Sequence, residues 1–342
     1  MEAKTPMRTR PQTYVAPFFA GLFALVMLIG LITPAIKSPS PHDIPVGLVG
    51  PAPVVQQIST AFAANAPGAF QFTTYASESD ARAAIDSRDV DGALVVGQGG
   101  PTLIVAAAAG DAVTGVMTGA FTNVFKAQGQ TLTVETIHPF AAGDPHGLIL
   151  FFVILAILVS TTIAGALVGL SRTVSLGAKT AAVLVYAVVA APVAMGLATW
   201  IAGDYGSGSW TATALVALTS AAVGAVVVGL ASLLGPPGVA LSALVAVLLD
   251  LVTSGGPIGS QLLPDAYRWL APAMPAGQLY SAVRGALYFD NAGIGTPVGV
   301  LSLWLLAGLI LMVIAALVTR ARRPAGATAA TSGSLAPHGA NG

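Results

Sequence analysis

One acidic residue, Asp250, lies within an apolar run that is long enough to cross a membrane. An ionised carboxylate in hydrocarbon is costly, so such a residue is expected to face the protein interior, a water-filled pocket or the outer interface. Two interpretations remain open: a functional carboxylate inside a helix bundle, or an Asp near a helix end that borders the next segment. Arg268 and Arg284 follow in that segment and are the candidate partners of Asp250.

Two glycine-containing stretches are candidates for phosphate binding. Gly47-Leu48-Val49-Gly50 lies between a predicted strand and a predicted helix, where a phosphate could dock, but it lacks the further glycines of the dinucleotide fingerprint. A plain strand-to-helix turn is therefore predicted. Gly177-Ala178-Lys179-Thr180 separates Gly from Lys and lacks the earlier glycine of a nucleotide-binding loop, so any use of ATP would need a second polypeptide.

Metal binding and catalysis have weaker candidates. His138, Asp144 and His146 could supply ligands, but a proline-containing loop does not fix their geometry as a helical HExxH motif would. The chain has no Cys, which excludes disulfides and thiolate ligands. No Ser-His-Asp or paired-carboxylate arrangement stands out. We therefore expect a protein that is not an enzyme, with no catalytic residues, no metal, no cofactor and no nucleic-acid partner.

The composition places most of the chain in a lipid bilayer. Only 8% of the 342 residues are charged and 55% are hydrophobic, and a membrane-spanning helix needs roughly 20 apolar residues. We therefore predict an α-helical polytopic membrane protein with six transmembrane helices. The apolar runs cover residues 14–36, 147–170, 178–201, 210–234, 239–253 and 298–319.

The charges predict the orientation of these spans. If both termini are cytoplasmic, the inner segments carry eight basic residues and one acid, Glu2. The positive-inside rule selects this topology. Residues 1–13 then form a cytoplasmic N-terminus and 320–342 a disordered cytoplasmic tail. A cleaved signal peptide is the competing interpretation of the first run, which is long for such a signal. The basic residues are Lys4, Arg8, Arg10, Arg172, Lys179, Arg320, Arg322 and Arg323.

The segment between the first two spans, residues 37–146, is predicted to be an extracytoplasmic domain. It is acidic, and its apolar spacing alternates between the periods of strands and helices, which is typical of a small α/β domain. Ser77 with Asp80 resembles a helix-capping box. Strands are predicted at 44–49, 70–75, 92–96, 102–106 and 132–137, and helices at 51–65, after Ser77 and at 113–125.

The five-helix part, residues 147–319, contains three further features. The segment 254–297 is rich in proline near its start and carries Tyr267 and Trp269, residue types that lie at headgroup level, so it is predicted to be interfacial or re-entrant. Pro236-Pro237 predicts a tight turn between two spans. Gly165 and Gly169 form a GxxxG pair, which could pack within the bundle or form a homodimer seam.

The order of these elements resembles the type-2 ABC exporter permeases, specifically their phage-infection-protein (YhgE/Pip-like) branch. The resemblance implies a permease-like subunit, usually dimeric, that exports drugs, lipids or envelope components with a separate ATPase. Arg172 and Lys179, in the loop between the second and third spans, would then be the candidate ATPase contacts. The alternative is a non-transporting envelope protein whose external domain binds a partner or serves as a phage receptor. The stretches that carry the resemblance include His138-Pro139, Gly143 to Gly147, Ser254 to Pro257, Leu263-Pro264, Tyr267 to Trp269, Met274-Pro275, Val283-Arg284 and Tyr288 to Asp290.

Overall fold

The computed structural model of the protein describes residues 12–37 and 39–321. The predictions for the N-terminus before residue 12 and for the tail from residue 322 onward fall outside the described residues. The described chain begins with a helix, α1 (Gln12–Lys37), continues into a five-stranded sheet with flanking helices, and ends in a set of long apolar helices.

The sheet and its helices form a unit, the sheet domain, between residues 44 and 137. Its strands have the order β2-β1-β3-β4-β5, and all neighbouring pairs are parallel except the β3–β4 hairpin. This confirms the small α/β unit predicted from the alternating apolar spacing. Its elements are β1 (Ile44–Val49), α2 (Ala52–Asn65), β2 (Phe70–Thr74), α3 (Glu78–Asp86), β3 (Gly92–Gly97), β4 (Gly100–Ala106), α4 (Asp111–Ala127) and β5 (Thr133–Ile137).

Local sequence signals explain these elements. Ser77 begins α3 as predicted, since its side-chain oxygen accepts a hydrogen bond from the backbone N–H of Asp80 at 3.2 Å. The apolar face of α4 packs on the sheet, and Met117 and Phe121 are fully buried there. Burial of each such side chain stabilises the domain by about 1.5–3 kcal/mol. Gly47 lies within β1, so only Gly50 and Pro51 connect the strand to α2, and the stretch forms no glycine loop.

Five helices are long and apolar enough to cross a membrane. They leave many Leu, Val and Ile side chains exposed on their outer faces, which suits contact with lipid, so the protein is membrane-embedded. In chain order the helices after the sheet domain are α5 (Leu148–Leu170), α6 (Leu176–Ala202), α7 (Ser209–Leu234), α8 (Pro236–Thr253), the short α9 (Asp265–Leu270), α10 (Pro275–Tyr288) and α11 (Gly295–Ala321); α9 and α10 are not among the five.

Helix α7 is the centre of the bundle. In its most apolar window 78% of the residues are buried, against 22–39% in the other four helices. Small residues allow its neighbours to approach closely: a Cβ atom at Gly229 would lie 2.6 Å from Leu311 Cβ, and one at Gly308 would lie 2.6 Å from Ala225 Cβ. Such contacts hold helices together where lipid provides no hydrophobic drive.

The turn between α7 and α8 differs from the prediction. The double proline does not lie in a turn before the helix but begins α8, because a proline in the first helical turn lacks only an N–H that has no partner there. Gly235 alone makes the turn, with φ of 69°. Further along, α8 changes to π-helix from Leu244 to Leu249 before its last turn begins at Asp250.

The segment after α8 is more helical than its prolines indicate. Besides α9 it contains α10, which is 14 residues long and lies between the sheet domain and the bundle. Apolar residues of α10 such as Leu279 and Ala282 are buried against the bundle, while Arg284 contacts the sheet domain.

The bundle has two distinct ends. The near end lies beside the sheet domain, where Gly143 donates a backbone hydrogen bond to Ala202 at the end of α6 and Gly208 contacts Ala286 of α10. The far end carries the loop between α5 and α6, the turn at Gly235 and the C-terminal turn of α11. The helices α5, α6, α7, α8 and α11 therefore alternate in direction.

Candidate functional site

A polar cleft of about 530 Å³ lies between the sheet domain and the segment that joins α8 to α10. We call it the interdomain cleft. Charged and polar side chains line both of its walls, in contrast to the apolar surroundings of the bundle. The lining includes His42, Asp43, Arg88 and Asp91 on the sheet-domain side, and Ser254, Gln261, Arg268, Gln278, Ser281 and Arg284 on the other.

Arg88 reaches across the cleft from the end of α3. Its Nη1 donates to the carbonyl oxygens of Ser281 at 3.0 Å and Ala292 at 3.3 Å, and its Nη2 donates to Ser281 Oγ at 3.1 Å. The guanidinium also lies 5.3 Å from the ring centre of Phe289. The backbone of Arg88 has a φ of 66°, which a non-glycine residue adopts only where its surroundings fix it. The Arg88 side chain thus links the sheet domain to α10 and the residues that follow it.

Arg284 makes the reciprocal contact from α10. Its Nη1 donates to the carbonyl oxygens of Ala108 and Ala109 in the sheet domain, and its guanidinium lies 4.7 Å from the ring centre of Tyr280. Burial, and secondly the positive charge of Arg284, lower the pKa of Arg88 to about 10. Arg88 therefore remains charged at neutral pH.

Asp91 is the acid between these arginines. It directly precedes β3 and accepts a hydrogen bond from Gln261 Nε2 at 3.2 Å. Burial raises the pKa of Asp91 to about 6, although the positive charges of Arg284 and Arg88 act in the opposite direction. Asp91 therefore titrates close to neutral pH.

Arg268 pairs with acids other than the one expected. Its Nη2 lies 2.8 Å from Asp43 Oδ2, and its Nη1 lies 3.2 Å from Asp265 Oδ1. The neighbouring Tyr267 donates its hydroxyl to the carbonyl oxygen of Leu31 at 2.9 Å. Helix α9 therefore ties α1 to the strand entry of the sheet domain, and Arg268 is not the partner of Asp250.

Asp250 is fully buried at the last turn of α8. Its Oδ1 accepts a hydrogen bond at 2.7 Å from the backbone N–H of Ala276, in the first turn of α10. Within the described residues its Oδ2 has no hydrogen-bond partner. The predicted pairing with Arg268 or Arg284 is wrong, because both guanidinium groups are held by the sheet domain or its entry. Elements of both interpretations are present: Asp250 is buried inside the protein, but it lies in the last turn of α8 and bonds the segment that follows.

The GxxxG pair packs within the chain. A Cβ atom at Gly165 would lie 3.0 Å from Val227 Cγ1, and one at Gly169 would lie 2.6 Å from Ala231 Cβ, so both glycines face α7. Packing within the bundle is therefore the interpretation that the geometry supports.

The two candidate ATPase contacts differ sharply. Arg172 is exposed in the far-end loop, as expected. Lys179 is only 9% exposed, and its Nζ donates to the carbonyl oxygen of Gly169 at 2.9 Å and to Ser232 Oγ at 2.8 Å. The expectation of a free loop lysine is wrong, because the side chain turns inward to bond the C-terminal end of α5, where a cation is favourable.

The polar side chains of the loop from His138 to His146 each bond a different partner. His138 Nε2 lies 2.7 Å from Asp86 Oδ1, and His146 Nδ1 lies 3.2 Å from Asp111 Oδ2. Asp144 accepts hydrogen bonds from the backbone N–H groups of Ile149 and Leu150 and so caps α5. Over residues 12–37 and 39–321, no group of three potential ligands is arranged to hold a metal ion.

Sequence reasoning did not identify Arg88 and Asp91 as site residues. The available signal was their position, since both adjoin the start of a predicted buried strand within a domain that has few basic residues. Comparison of the chain with protein-family models, with curated proteins and with solved structures finds no significant match. The resemblance to exporter permeases therefore stays a hypothesis.

Proposed function

We propose that this chain is a permease-like subunit of a bacterial plasma-membrane exporter, of the type-2 ABC kind. In this proposal α1 is the first of six spans, both termini are cytoplasmic and the sheet domain is extracytoplasmic. The charges support this orientation, because Arg172 and Arg320 lie at the far end while the sheet domain is rich in acids. The substrate would be hydrophobic or related to the cell envelope.

The observation that carries the proposal is the firm attachment of the sheet domain to the bundle. Arg88 and Arg284 each cross the boundary and bond backbone carbonyl oxygens on the other side. A receptor module would need only a flexible connection to the membrane helices. Here, by contrast, a movement of the sheet domain would also move α10. The N-terminus of α10 is in turn capped by Asp250 of α8. Such a chain of contacts suits a protein that couples an external site to its membrane helices.

The bundle itself favours transport at a surface. Because α7 fills the centre, a substrate would move along the outer face of one copy, and a second copy could close that path. We therefore propose a homodimer in the lipid bilayer, with a separate ATPase at the far end. Arg172 is the remaining candidate contact, since Lys179 is buried.

One feature favours the alternative of a non-transporting envelope protein that binds a partner or a phage. The far-end loop is short, with α5 ending at Leu170 and α6 beginning at Leu176, so it offers little surface to an ATPase. The two proposals differ in whether an ATPase binds and whether a substrate leaves the cell.

The first experiment is affinity purification of the protein from native membranes. We expect an ATPase subunit to co-purify with it, and Arg172→Glu to release that subunit. Lys126→Glu is the matched control, because it makes the same charge change at an exposed position of the sheet domain. Recovery of no ATPase with the unsubstituted protein would favour the envelope-protein alternative.

The orientation can be tested separately with single cysteines, because the natural sequence contains none. Ser79→Cys in the sheet domain and Thr173→Cys at the far end are both exposed positions. A membrane-impermeant maleimide should label Ser79→Cys in intact cells and Thr173→Cys only after permeabilisation. The opposite pattern would overturn the proposed orientation.

A further inference from the structure

The interdomain cleft contains positive charge that the protein does not neutralise. Arg82, elsewhere in the sheet domain, lies 2.6 Å from Glu135 and 2.7 Å from Glu78, and Arg268 pairs with Asp43. Among the residues that the structure describes, by contrast, neither Arg88 nor Arg284 has a carboxylate within salt-bridge distance. Their hydrogen bonds go to neutral carbonyl and hydroxyl oxygens, which hold the guanidinium groups in place without balancing their charge.

Donor capacity also remains on these groups. The hydrogen bonds of Arg284 to described residues all involve Nη1, which leaves Nη2 without a partner there. Asp43 is already paired, so the fixed charges that remain are two arginines against the single carboxylate of Asp91. A charge-assisted bond to a planar guanidinium is the usual way in which proteins hold a phosphate.

The cleft lies at the depth where a membrane would present its headgroups. Trp200, Trp210 and Trp269 are 81%, 83% and 82% exposed, and all three lie at the near end of the bundle. Exposed tryptophans at the end of an apolar bundle mark the membrane interface. Ser254, directly after α8, lines the cleft, and so does Ala271, two residues after Trp269.

We propose that the interdomain cleft binds the phosphate group of an anionic membrane lipid, with Arg88 and Arg284 as its donors. A volume of about 530 Å³ falls within the range of about 300–1,000 Å³ that is usual for ligand sites. The depth of the cleft favours a lipid headgroup over a soluble phosphate ester. Binding requires no transport, so this proposal stands or falls independently of the exporter function.

The experiment is native mass spectrometry of the purified full-length protein in detergent, titrated with three ligands. Phosphatidic acid presents the phosphate on a lipid, diacylglycerol has the same acyl chains without it, and glycerol 3-phosphate is the soluble equivalent. We expect saturable binding of phosphatidic acid and much weaker binding of the other two. Equal binding of diacylglycerol would overturn the role of the phosphate, and equally tight binding of glycerol 3-phosphate would overturn the lipid as its source.

Variants then locate the site. Arg88→Gln with Arg284→Gln should lower the affinity for phosphatidic acid on the order of tenfold for each arginine. Arg82→Gln is the matched control and should bind as the unsubstituted protein does, because Arg82 lies outside the cleft.

A further variant keeps both arginines, in case their removal detaches the sheet domain. Ser281→Asp places a carboxylate where Arg88 Nη2 now bonds a hydroxyl. It should supply the missing counter-ion, preserve the melting temperature and still weaken lipid binding on the order of tenfold. Unchanged binding in a folded Ser281→Asp protein would overturn the assignment of the site.

Discussion

The buried polar groups at the two ends of the bundle differ in how completely they are hydrogen-bonded. At the far end, the ammonium of Lys179 is bonded to a carbonyl oxygen and a hydroxyl, and Ser232 bonds the same carbonyl of Gly169. At the near end, Asp250 uses one carboxylate oxygen and leaves the other without a partner within the described chain. Arg284, in the interdomain cleft, also keeps guanidinium donors that are not bonded to described residues.

This difference indicates that the buried polar groups of the far end stabilise the fold, whereas those of the near end keep unused bonding capacity. A buried polar group costs free energy unless it is hydrogen-bonded. Loss of the buried hydrogen bonds at the far end is therefore expected to destabilise the protein. At the near end the incomplete bonding leaves capacity for a ligand or a proton, so substitution of Asp250 should change transport more than stability.

The largest effect on stability is expected for Lys179→Glu. The substitution removes both hydrogen bonds and turns a carboxylate toward the carbonyl oxygen of Gly169, so we expect a loss of about 3 kcal/mol or more in the free energy of unfolding. A thermal melt in detergent measures it. Arg172→Glu, at an exposed position of the same end, should stay within about 0.5 kcal/mol. Equal melting temperatures for the two variants would remove the contrast between the ends.

The next effect concerns the pH dependence of stability at the near end. Because the pKa of Asp91 is raised from 3.8 to about 6, the folded protein binds the proton more tightly than the unfolded chain. Stability should therefore fall as pH rises from about 4 through about 6 and then stay level. Asp91→Asn should remove this fall and be more stable than the unsubstituted protein at pH 8, by up to about 3 kcal/mol.

Thermal melts of Asp91→Asn at about pH 4.5 and pH 8 test this prediction. The gain at pH 8 should shrink toward the lower pH. Asp290→Asn, which removes an exposed carboxylate near the same end, is the control for loss of a single charge. A gain of equal size at both pH values would contradict the cause assigned to the pKa of Asp91.

The sequence allowed the sheet domain to be predicted but not the cleft beside it. Periodic apolar residues and the Ser77 cap are local signals, so each strand and helix of the domain could be located. The bond from Arg88 to Ser281 joins residues 193 positions apart, and its acceptor is a backbone carbonyl, which leaves no mark in the residue types. Lys179 was misplaced for a related reason: one of its two partners, Gly169, also contributes only a backbone carbonyl oxygen.

A smaller loss of stability is expected when a methyl group is added at the close contact between α5 and α7 at the far end. Gly169→Ala would place a methyl group 2.6 Å from Ala231 Cβ and should cost about 1–3 kcal/mol, whereas Gly165→Ala, at 3.0 Å from Val227 Cγ1, should cost less. Gly196→Ala is the control, since nothing lies within 4 Å of its Cβ position. A change in the dimer fraction with no change in melting temperature would instead indicate a homodimer seam.

The smallest effect on stability, and the most informative one for function, is expected at Asp250. Asp250→Ala leaves the N–H of Ala276 without its acceptor and should cost about 1 kcal/mol, as loss of a helix cap does. Asp250→Asn keeps an oxygen that can accept this bond, so its free energy of unfolding should stay within about 0.5 kcal/mol of that of the unsubstituted protein.

The same two variants test whether Asp250 has a role in export. If the free carboxylate oxygen serves transport, both variants lose export, and the loss in Asp250→Asn cannot be attributed to stability. Ser242→Ala, in the same helix, removes a buried hydroxyl that bonds only its own helix and should leave export unchanged. Full export by Asp250→Asn would show that Asp250 is only the cap of α10, and the two ends of the bundle would then differ in packing and not in function.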